Sequence, residues 1–265
     1  MNVHDKAPAR EIRQFPFETD AGIAARARLG LVVLGSDHTI EHEFRLILAE
    51  TPGVAVYHAR IANDPEVTPE TLRAMEKGIA PTADILLPGM PFDAIGYGCT
   101  SASMVIGRDR IGELLRQARP EAAPTNPVSA AFAAFAALGA KCIAILTPYS
   151  DVVNEGIRSY FEGGGFEVPV MGSFKEPNDN IVACISPKSI AAAAVSLAAE
   201  GGVDAVFVSC TSVRLVEAVA DLEKRTGLPV TSSNHAIAWH MLRLAGIDDR
   251  LPQFGRLFTL GLHGA

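Results

Sequence analysis

Two cysteines, Cys99 and Cys210, close two stretches that read almost alike: FDAIGYGCTS from Phe92 to Ser101, and VDAVFVSCTS from Val203 to Ser212. Five of the ten positions are identical, among them the whole Cys-Thr-Ser ending. The spacing puts each cysteine where an apolar strand meets a helix N-terminus. The positive end of a helix lowers a thiol pKa from its usual value of about 8.5. Each tenfold gain in acidity favours the thiolate by about 1.4 kcal/mol, and such a thiol is expected to react quickly with iodoacetamide at neutral pH. Thr100, Ser101, Thr211 and Ser212 add hydroxyl donors beside the two sulfurs, a setting suited to a carboxylate. A carbon next to a carboxylate, held between two thiols, can lose a proton on one face and gain one on the other. Alternatively, one thiolate adds to an activated double bond while the other thiol supplies a proton. Neither route needs a metal or an organic cofactor. A lone cysteine after a buried strand is normally a small core residue. Repetition is what separates this pair from Cys142 in KCIAIL, read as core, and from Cys184 in VACIS, read as neither.

The elements that must position the pair follow a strand-helix alternation. RLGLVVLG at Arg28 to Gly35 is short, apolar and closed by glycine, as a buried parallel strand should be. SDHTIEHEFRLILAE then places Ile40, Phe44, Ile47 and Leu48 at helical spacing. GVAVYHARI reads as a strand, TPETLRAMEKGIAP as a helix opened by Thr68-Pro69, and FDAIGYG as a third strand leading into a helix that ends near Arg119. PEAAPTNP, Pro120 to Pro127, reads as a linker. The pattern then restarts: SAAFAAFAALG, KCIAILTPYS, DVVNEGIRSYFEGGG, FEVPVMGSF, SPKSIAAAAVSLAAEGG, VDAVFVSCTS, VRLVEAVADLEKRTG, LPVTSSN and HAIAWHMLRLAG alternate helix and strand. Such a series forms α/β sheets with right-handed crossovers. About sixty residues separate Asp37 from Cys99, and again Tyr149 from Cys210, which marks a duplication. Ligands of such sheets bind at the carboxyl ends of the strands, so the cysteines should face one cleft.

The 265 residues carry 48% apolar and 20% charged side chains and a formal charge of -7. That balance disfavours a nucleic-acid partner while leaving room for a small anion at a locally positive site. The polar opening, with Pro8 and Pro16, is expected to be an N-terminal extension (1–25). It has neither the apolar core of a signal peptide nor that of a transmembrane segment, and no later run reaches membrane length. Four cysteines in such a chain do not form a disulfide framework, and a cytoplasmic location is expected. HTIEH, His38 to His42, matches a short zinc pattern but reads as a solvated first helical turn, since no third ligand can be named. His235, after a strand end, is a candidate to approach the cleft, whereas His240 is read as packing. Arg214 is placed three residues into a helix, facing a carboxylate or Glu217. Gly163 to Gly165 reads as a helix C-cap rather than a phosphate loop.

GLVVLGSDHTIEHEF, FDAIGYGCTS, AILTPYSDVVNEGI, VDAVFVSCTSVR and LPVTSSNHAIAWHML resemble the aspartate/glutamate racemase superfamily. The likeness is to the branch holding maleate cis-trans isomerase, arylmalonate decarboxylase and the ectoine-utilisation protein A group, and it runs from about Arg26 to Gly246. SSNHAIAWHML points most closely to the ectoine-utilisation group. The resemblance implies an α/β fold of two Rossmann-like (flavodoxin-like) halves, each a parallel sheet flanked by helices, related by pseudo-twofold symmetry. The expected halves are 26–123 plus 235–265, and 124–234. It implies a cofactor-independent isomerase or racemase, a homodimer, acting on a small carboxylate. Cys99 would be nucleophile or base and Cys210 the opposing acid. Tyr149 and Asn180 would donate to a substrate carboxylate, with Thr100, Ser101 and Thr211 forming the anion pocket. The decarboxylase branch has glycine where this chain keeps Cys99, which argues against that reaction; a non-catalytic binder of the same fold would need no pair of thiols. Maleate isomerases have asparagine where this chain has Asp37. An aspartate there would repel a dicarboxylate and favours a cationic or amide group on the substrate.

Overall fold

The computed structural model describes residues 12–64 and 66–262, so the beginning of the expected N-terminal extension, 1–11, lies outside the described residues. From residue 12 to the first strand the chain has no regular helix or strand, and Ile12, Phe15 and Phe17 stand exposed. The first sheet is built from β1 (Ala27–Leu34), α1 (Ile40–Leu48), β2 (Val54–Ile61), α2 (Pro69–Ala74), α3 (Glu76–Asp84), β3 (Ala94–Gly98), α4 (Thr100–Ile106), α5 (Arg108–Ala118) and β4 (Ala123–Thr125). The second follows as α6 (Pro127–Leu138), β5 (Cys142–Thr147), α7 (Asp151–Gly163), β6 (Glu167–Ser173), α8 (Asp179–Val182), α9 (Pro187–Ala199), β7 (Ala205–Val208), α10 (Val219–Thr226), β8 (Val230–Ser232) and α11 (Ser233–Leu244). Both sheets are parallel and four-stranded, with the same order: β2-β1-β3-β4 and β6-β5-β7-β8. The duplicated sequence is thus a duplicated α/β topology.

The repeated Asp-Ala of the two stretches has a structural cause. Asp93 accepts the backbone N–H of Arg28 at 2.7 Å, and its own N–H donates to the Arg28 carbonyl. Asp204 accepts the N–H groups of Lys141 and Cys142, each at 2.8 Å, and donates to the Cys142 carbonyl. In each half an aspartate sets the register between the two central strands, β1 with β3 and β5 with β7. These bonds hold the Asp204 carboxylate below its ordinary pKa.

Several expectations are corrected. Pro120 to Pro127 is no linker: its middle is β4, paired to β3 through Ala94↔Ala123, Ile95↔Pro124 and Gly96↔Thr125. Pro124 is tolerated because β4 is an edge strand, where a missing N–H breaks no ladder. The helix expected from Thr68 is two, α2 and α3, parted at Met75, and the one expected up to Arg119 is broken at Gly107 (φ 100). Cys142 is only partly buried, at the start of β5, and its thiol meets the Glu167 carboxylate at 3.5 Å.

The two halves share α11. Its buried face, including Ile237, Trp239 and Met241, packs in one cluster with β1, α1 and α6, so the chain's last helix closes the first half. His235 sits inside this packing, away from the cleft. Its Nδ1 meets the Thr231 hydroxyl at 2.9 Å, its Nε2 meets the Phe254 carbonyl at 2.7 Å, and its ring lies on Phe258. Burial drops its pKa to about 4 and keeps it neutral.

Candidate active site

Cys99 directly follows β3 and stands at the N-cap position of α4, with an extended backbone (φ -148, ψ 118). Its sulfur lies 3.7 Å from the Ser101 hydroxyl, and its carbonyl accepts the Ser103 hydroxyl at 2.6 Å. The matching cysteine is held differently. Cys210 lies beyond β7 in a turn, and regular α-helix does not resume until Val219. A carboxylate from the other half, Glu43 of α1, takes the N–H groups of Leu215 and Val216, at 2.6 and 2.7 Å, and so caps the 3-10 turn (Val216–Ala218) that leads into α10. The thiol accepts the Ser212 N–H at 3.4 Å. Arg214 therefore lies in this loop rather than in a helix, its guanidinium donating to the Ile185 carbonyl.

The two sulfurs line one cavity with Ser101, Tyr149, Asp179, Thr211 and Ser212. Its roof comes from the segment after β2 (Asn63, Asp64, Glu66 and Val67) and from Leu72 and Met75, while Glu66 forms a lone antiparallel bridge with Asn178 across the two halves. The space is ≈ 20 Å³, about one or two water-sized spheres. Tyr149 is positioned by its own backbone: its N–H donates to the Thr147 hydroxyl, and its carbonyl accepts from Asn154 at 2.9 Å and from Ser173. Burial, with Cys210 and then Cys99 beside it, pushes its hydroxyl well above the usual range, so it remains a donor.

Of the other residues singled out in the sequence, Thr100 gives its hydroxyl to Ser233 at 2.7 Å and ties α4 to α11. Asn180 is exposed on α8 and meets the His38 ring at 2.9 Å, outside the cavity. Among the described residues no three His, Cys, Asp or Glu side chains are grouped to hold a metal ion. Asp37 is buried: one carboxylate oxygen accepts the N–H groups of Thr39 and Ile40, at 2.7 and 2.8 Å, and starts α1. Burial, against those two bonds, raises its pKa to about 6. Sequence reasoning passed over Asp179, one position before Asn180. It is buried, accepts the hydroxyls of Ser212 at 3.0 Å and Ser36 at 3.1 Å, and is raised by burial. It stands on a four-residue helix with no periodicity to expose it, and nothing in its neighbours marks it.

The thiols also depart from expectation. Burial raises Cys99 to about 11, only partly opposed by the Ala102 N–H and the Ser101 hydroxyl, with Asp179 and Asp37 adding to the rise. Burial and then Asp179 raise Cys210 further. A seven-residue α4 cannot offset full desolvation next to two carboxylates. In this closed state both are thiols at neutral pH, and fast alkylation is not what the geometry supports.

Two parallel α/β sheets of one topology, with a cysteine from each half lining a single cavity, make a two-sheet α/β fold with one shared cleft. A model of the arylmalonate decarboxylase family matches residues 66–258, and the chain belongs to that family, within the aspartate/glutamate racemase superfamily. It is 31% identical to the maleate isomerase of Nocardia farcinica over 87% of this chain and 94% of that one. It is 29% identical to the maleate isomerase of Pseudomonas putida, over 88% and 97%. A structure of the Nocardia farcinica maleate cis-trans isomerase bound to TRIS superposes with a TM-score of 0.78 at 29% identity, covering 88% of this chain and 98% of that chain. A cysteine-to-serine mutant of that enzyme, equally similar in fold at 28% identity, holds a covalently bound succinylcysteine intermediate. Among the described residues no helix is long and apolar enough to cross a membrane.

Proposed function

We propose that this chain is a cis-trans isomerase of a small α,β-unsaturated carboxylate, working through Cys99 and Cys210 as a maleate isomerase does. The observation that carries this reading is that both cysteines line one cavity with Ser101, Tyr149 and Thr211. Cys99 is the nucleophile, since it stands at the N-cap of α4, where the helix end favours a thiolate, whereas Cys210 sits in a loop. Cys99 first releases its proton to solvent; the thiolate then bonds to one alkene carbon, the π pair moves to the other carbon, and that carbon takes the Cys210 proton. The former double bond is now single and rotates. Cys210 then removes the proton, the carbon–sulfur pair returns to Cys99, and the trans isomer leaves. Ser101, Thr211 and Tyr149 donate to the substrate carboxylate, which takes up charge as the adduct forms. No step calls on a cofactor.

Proton NMR in deuterated water tests this with maleate, other 2-enoates, aspartate, glutamate, ectoine and hydroxyectoine. Conversion of a cis alkene signal to its trans partner is the expected result. Exchange at a saturated α carbon, with every alkene untouched, replaces isomerisation with racemisation. Inertness of the whole panel overturns the reading.

A further inference from the structure

Every charged side chain lining the cavity is acidic: Asp64, Glu66 and Asp179, with no Lys, Arg or His among the described lining residues. Asp179 is buried, with the hydroxyls of Ser36 and Ser212 as its hydrogen-bond partners, His38 near enough to act on its charge, and no salt bridge among the described residues. Asp37 is 2% exposed, feels the Asp179 charge, and has only the Thr211 hydroxyl near its second oxygen, Oδ2, as a donor. A dicarboxylate dianion would set its second carboxylate against these groups in a water-poor space, where like charges repel most strongly.

We propose that the cavity takes a small zwitterion, a 2-enoic acid carrying a cationic nitrogen, with the cation on Asp179 and the double bond between the two thiols. The inference rests on the isomerase reading and names its substrate class. The substrate carboxylate goes to the hydroxyls of Ser101, Tyr149 and Thr211, the neutral donors of the site. The cation also answers a difficulty in the chemistry. Asp179 and Asp37 oppose ionisation of both thiols. A positive nitrogen on Asp179 offsets one of the charges that, after burial, hold the proton on Cys99, and that proton passes to solvent as the thiolate forms. With (Z)-4-aminobut-2-enoate, the Cys99 thiolate bonds to the β carbon and the π pair moves to the α carbon, which takes the Cys210 proton. After rotation Cys210 removes that proton and the carbon–sulfur pair returns to Cys99. The E isomer leaves and the thiolate is regenerated, with no other reactant consumed.

The test compares (Z)-4-aminobut-2-enoate with maleate by NMR, in the wild type and in Asp179→Asn, and measures the melting shift given by their saturated counterparts, 4-aminobutanoate and succinate. The expected result is a kcat/KM at least tenfold higher for the amino acid, with that preference falling tenfold or more in Asp179→Asn. If the variant does not fold, the wild-type preference still decides. Maleate preferred by the wild type overturns the inference and leaves the isomerase reading standing. A Tm raised by 4-aminobutanoate and not by succinate, without turnover of either alkene, supports the ligand class and overturns the isomerase reading. Neither turnover nor a shift with the amino compounds overturns the inference.

Discussion

Glu43 of the first half accepts the backbone N–H of Leu215 in the second at 2.6 Å, and this bond fixes the loop that carries Cys210. The same oxygen takes the Val216 N–H, and the other takes the side-chain N–H of Asn234, which in turn donates to the Thr211 carbonyl at 2.7 Å. One buried carboxylate therefore sets the position of the second thiol and of its neighbouring threonine. It is a positioning group, since it does not line the cavity.

Replacing it tests that role and gives a signed pH dependence. Hydrogen bonds to a charged group contribute about 1.5–3 kcal/mol, and each kcal/mol is worth roughly 2–4 °C in a protein of this size. Burial raises Glu43 to about 7 from 4.5, against the bonds from Val216, Asn234 and Leu215. Between those pH values the folded state keeps a proton that the unfolded chain has released, so the Glu43 contribution to stability falls as pH rises through that window. His235 works the other way: its folded value of about 4 lies below the ordinary 6.5, so its contribution is lost as pH falls through 6.5 toward 4. The two slopes oppose one another in the wild type. Glu43→Gln removes one of them, and its Tm deficit is expected to be largest near pH 5 and to shrink by pH 8. Thermal melts across that range check it, and a deficit that grows with pH contradicts the assignment.

Alkylation reports the state of the thiols. Cys184 is exposed and should react with iodoacetamide first. Cys99, buried and raised to about 11, should react slowly at pH 7 and about tenfold faster for each pH unit until near 11. Peptide mapping of the labelled sites over pH 7–10 measures this. Rapid labelling of Cys99 at pH 7 would mean that the roof is open in solution.

The sequence made the sheets readable because buried parallel strands are short apolar runs with sharp ends, and the repeated Asp-Ala and Cys-Thr-Ser showed that the runs were copies. Cys99, Cys210, Ser101, Tyr149 and Thr211 could be placed at one strand-end cleft on that basis. Asp179 and Glu43 could not. A carboxylate on a helix reads as solvent-facing, and its burial here depends on partners more than thirty residues away for Asp179 and more than a hundred and seventy for Glu43. The thiol pKa direction failed for a related reason: a helix terminus is visible in sequence, whereas desolvation and neighbouring carboxylates belong to the assembled cavity.

The divergence between the repeats has a packing cause that can be tested. Gly96 matches Phe207 of the second stretch, yet a Cβ on Gly96 would sit 2.9 Å from both Leu31 Cδ1 and Met241 Sδ. At Gly98 it would meet Ile40 Cδ1 at 2.8 Å and the Val32 carbonyl at 3.3 Å. Over Gly96 the space is taken by Met241 and Ile237 of α11, whereas Phe207 packs against Phe135 and Phe161, and over Gly98 it is taken by Ile40 of α1. Overpacking of a core costs about 1–3 kcal/mol. Gly98→Ala is expected to lower Tm more than Gly96→Ala, because one of its obstacles is backbone; chemical denaturation of the two variants ranks them.

Asp37 separates capping from charge. Asp37→Ala strips the acceptor from two N–H groups at the start of α1 and should be about 1–2 kcal/mol less stable than Asp37→Asn at any pH, since neither replacement titrates. Asp37→Asn keeps an acceptor oxygen. Since the aspartate is raised to about 6 from 3.8, its contribution to stability is lost as pH climbs through that window, so Asn should match or exceed the wild type at pH 8. Melts of both variants at pH 5 and pH 8 test this, and an Asn variant as unstable as Ala at pH 8 rules out the capping assignment.

The roles of the two thiols are separable by what accumulates. If Cys99 adds to the alkene and Cys210 moves the proton, Cys99→Ser abolishes adduct formation as well as turnover, because serine is a far weaker nucleophile in a site with no base poised beside it. Cys210→Ser leaves the nucleophile in place but slows proton movement to and from the adjacent carbon, so the covalent species should persist long enough to be seen on the Cys99 peptide. Intact mass and peptide mapping, after mixing each variant with a converted substrate, distinguish the two. An adduct on Cys210 in Cys99→Ser would reverse the roles. Opposed-face racemisation predicts a different pattern, in which neither variant holds an adduct and each still exchanges one substrate proton with solvent. Full turnover in either serine variant would remove the cysteine pair from the chemistry altogether.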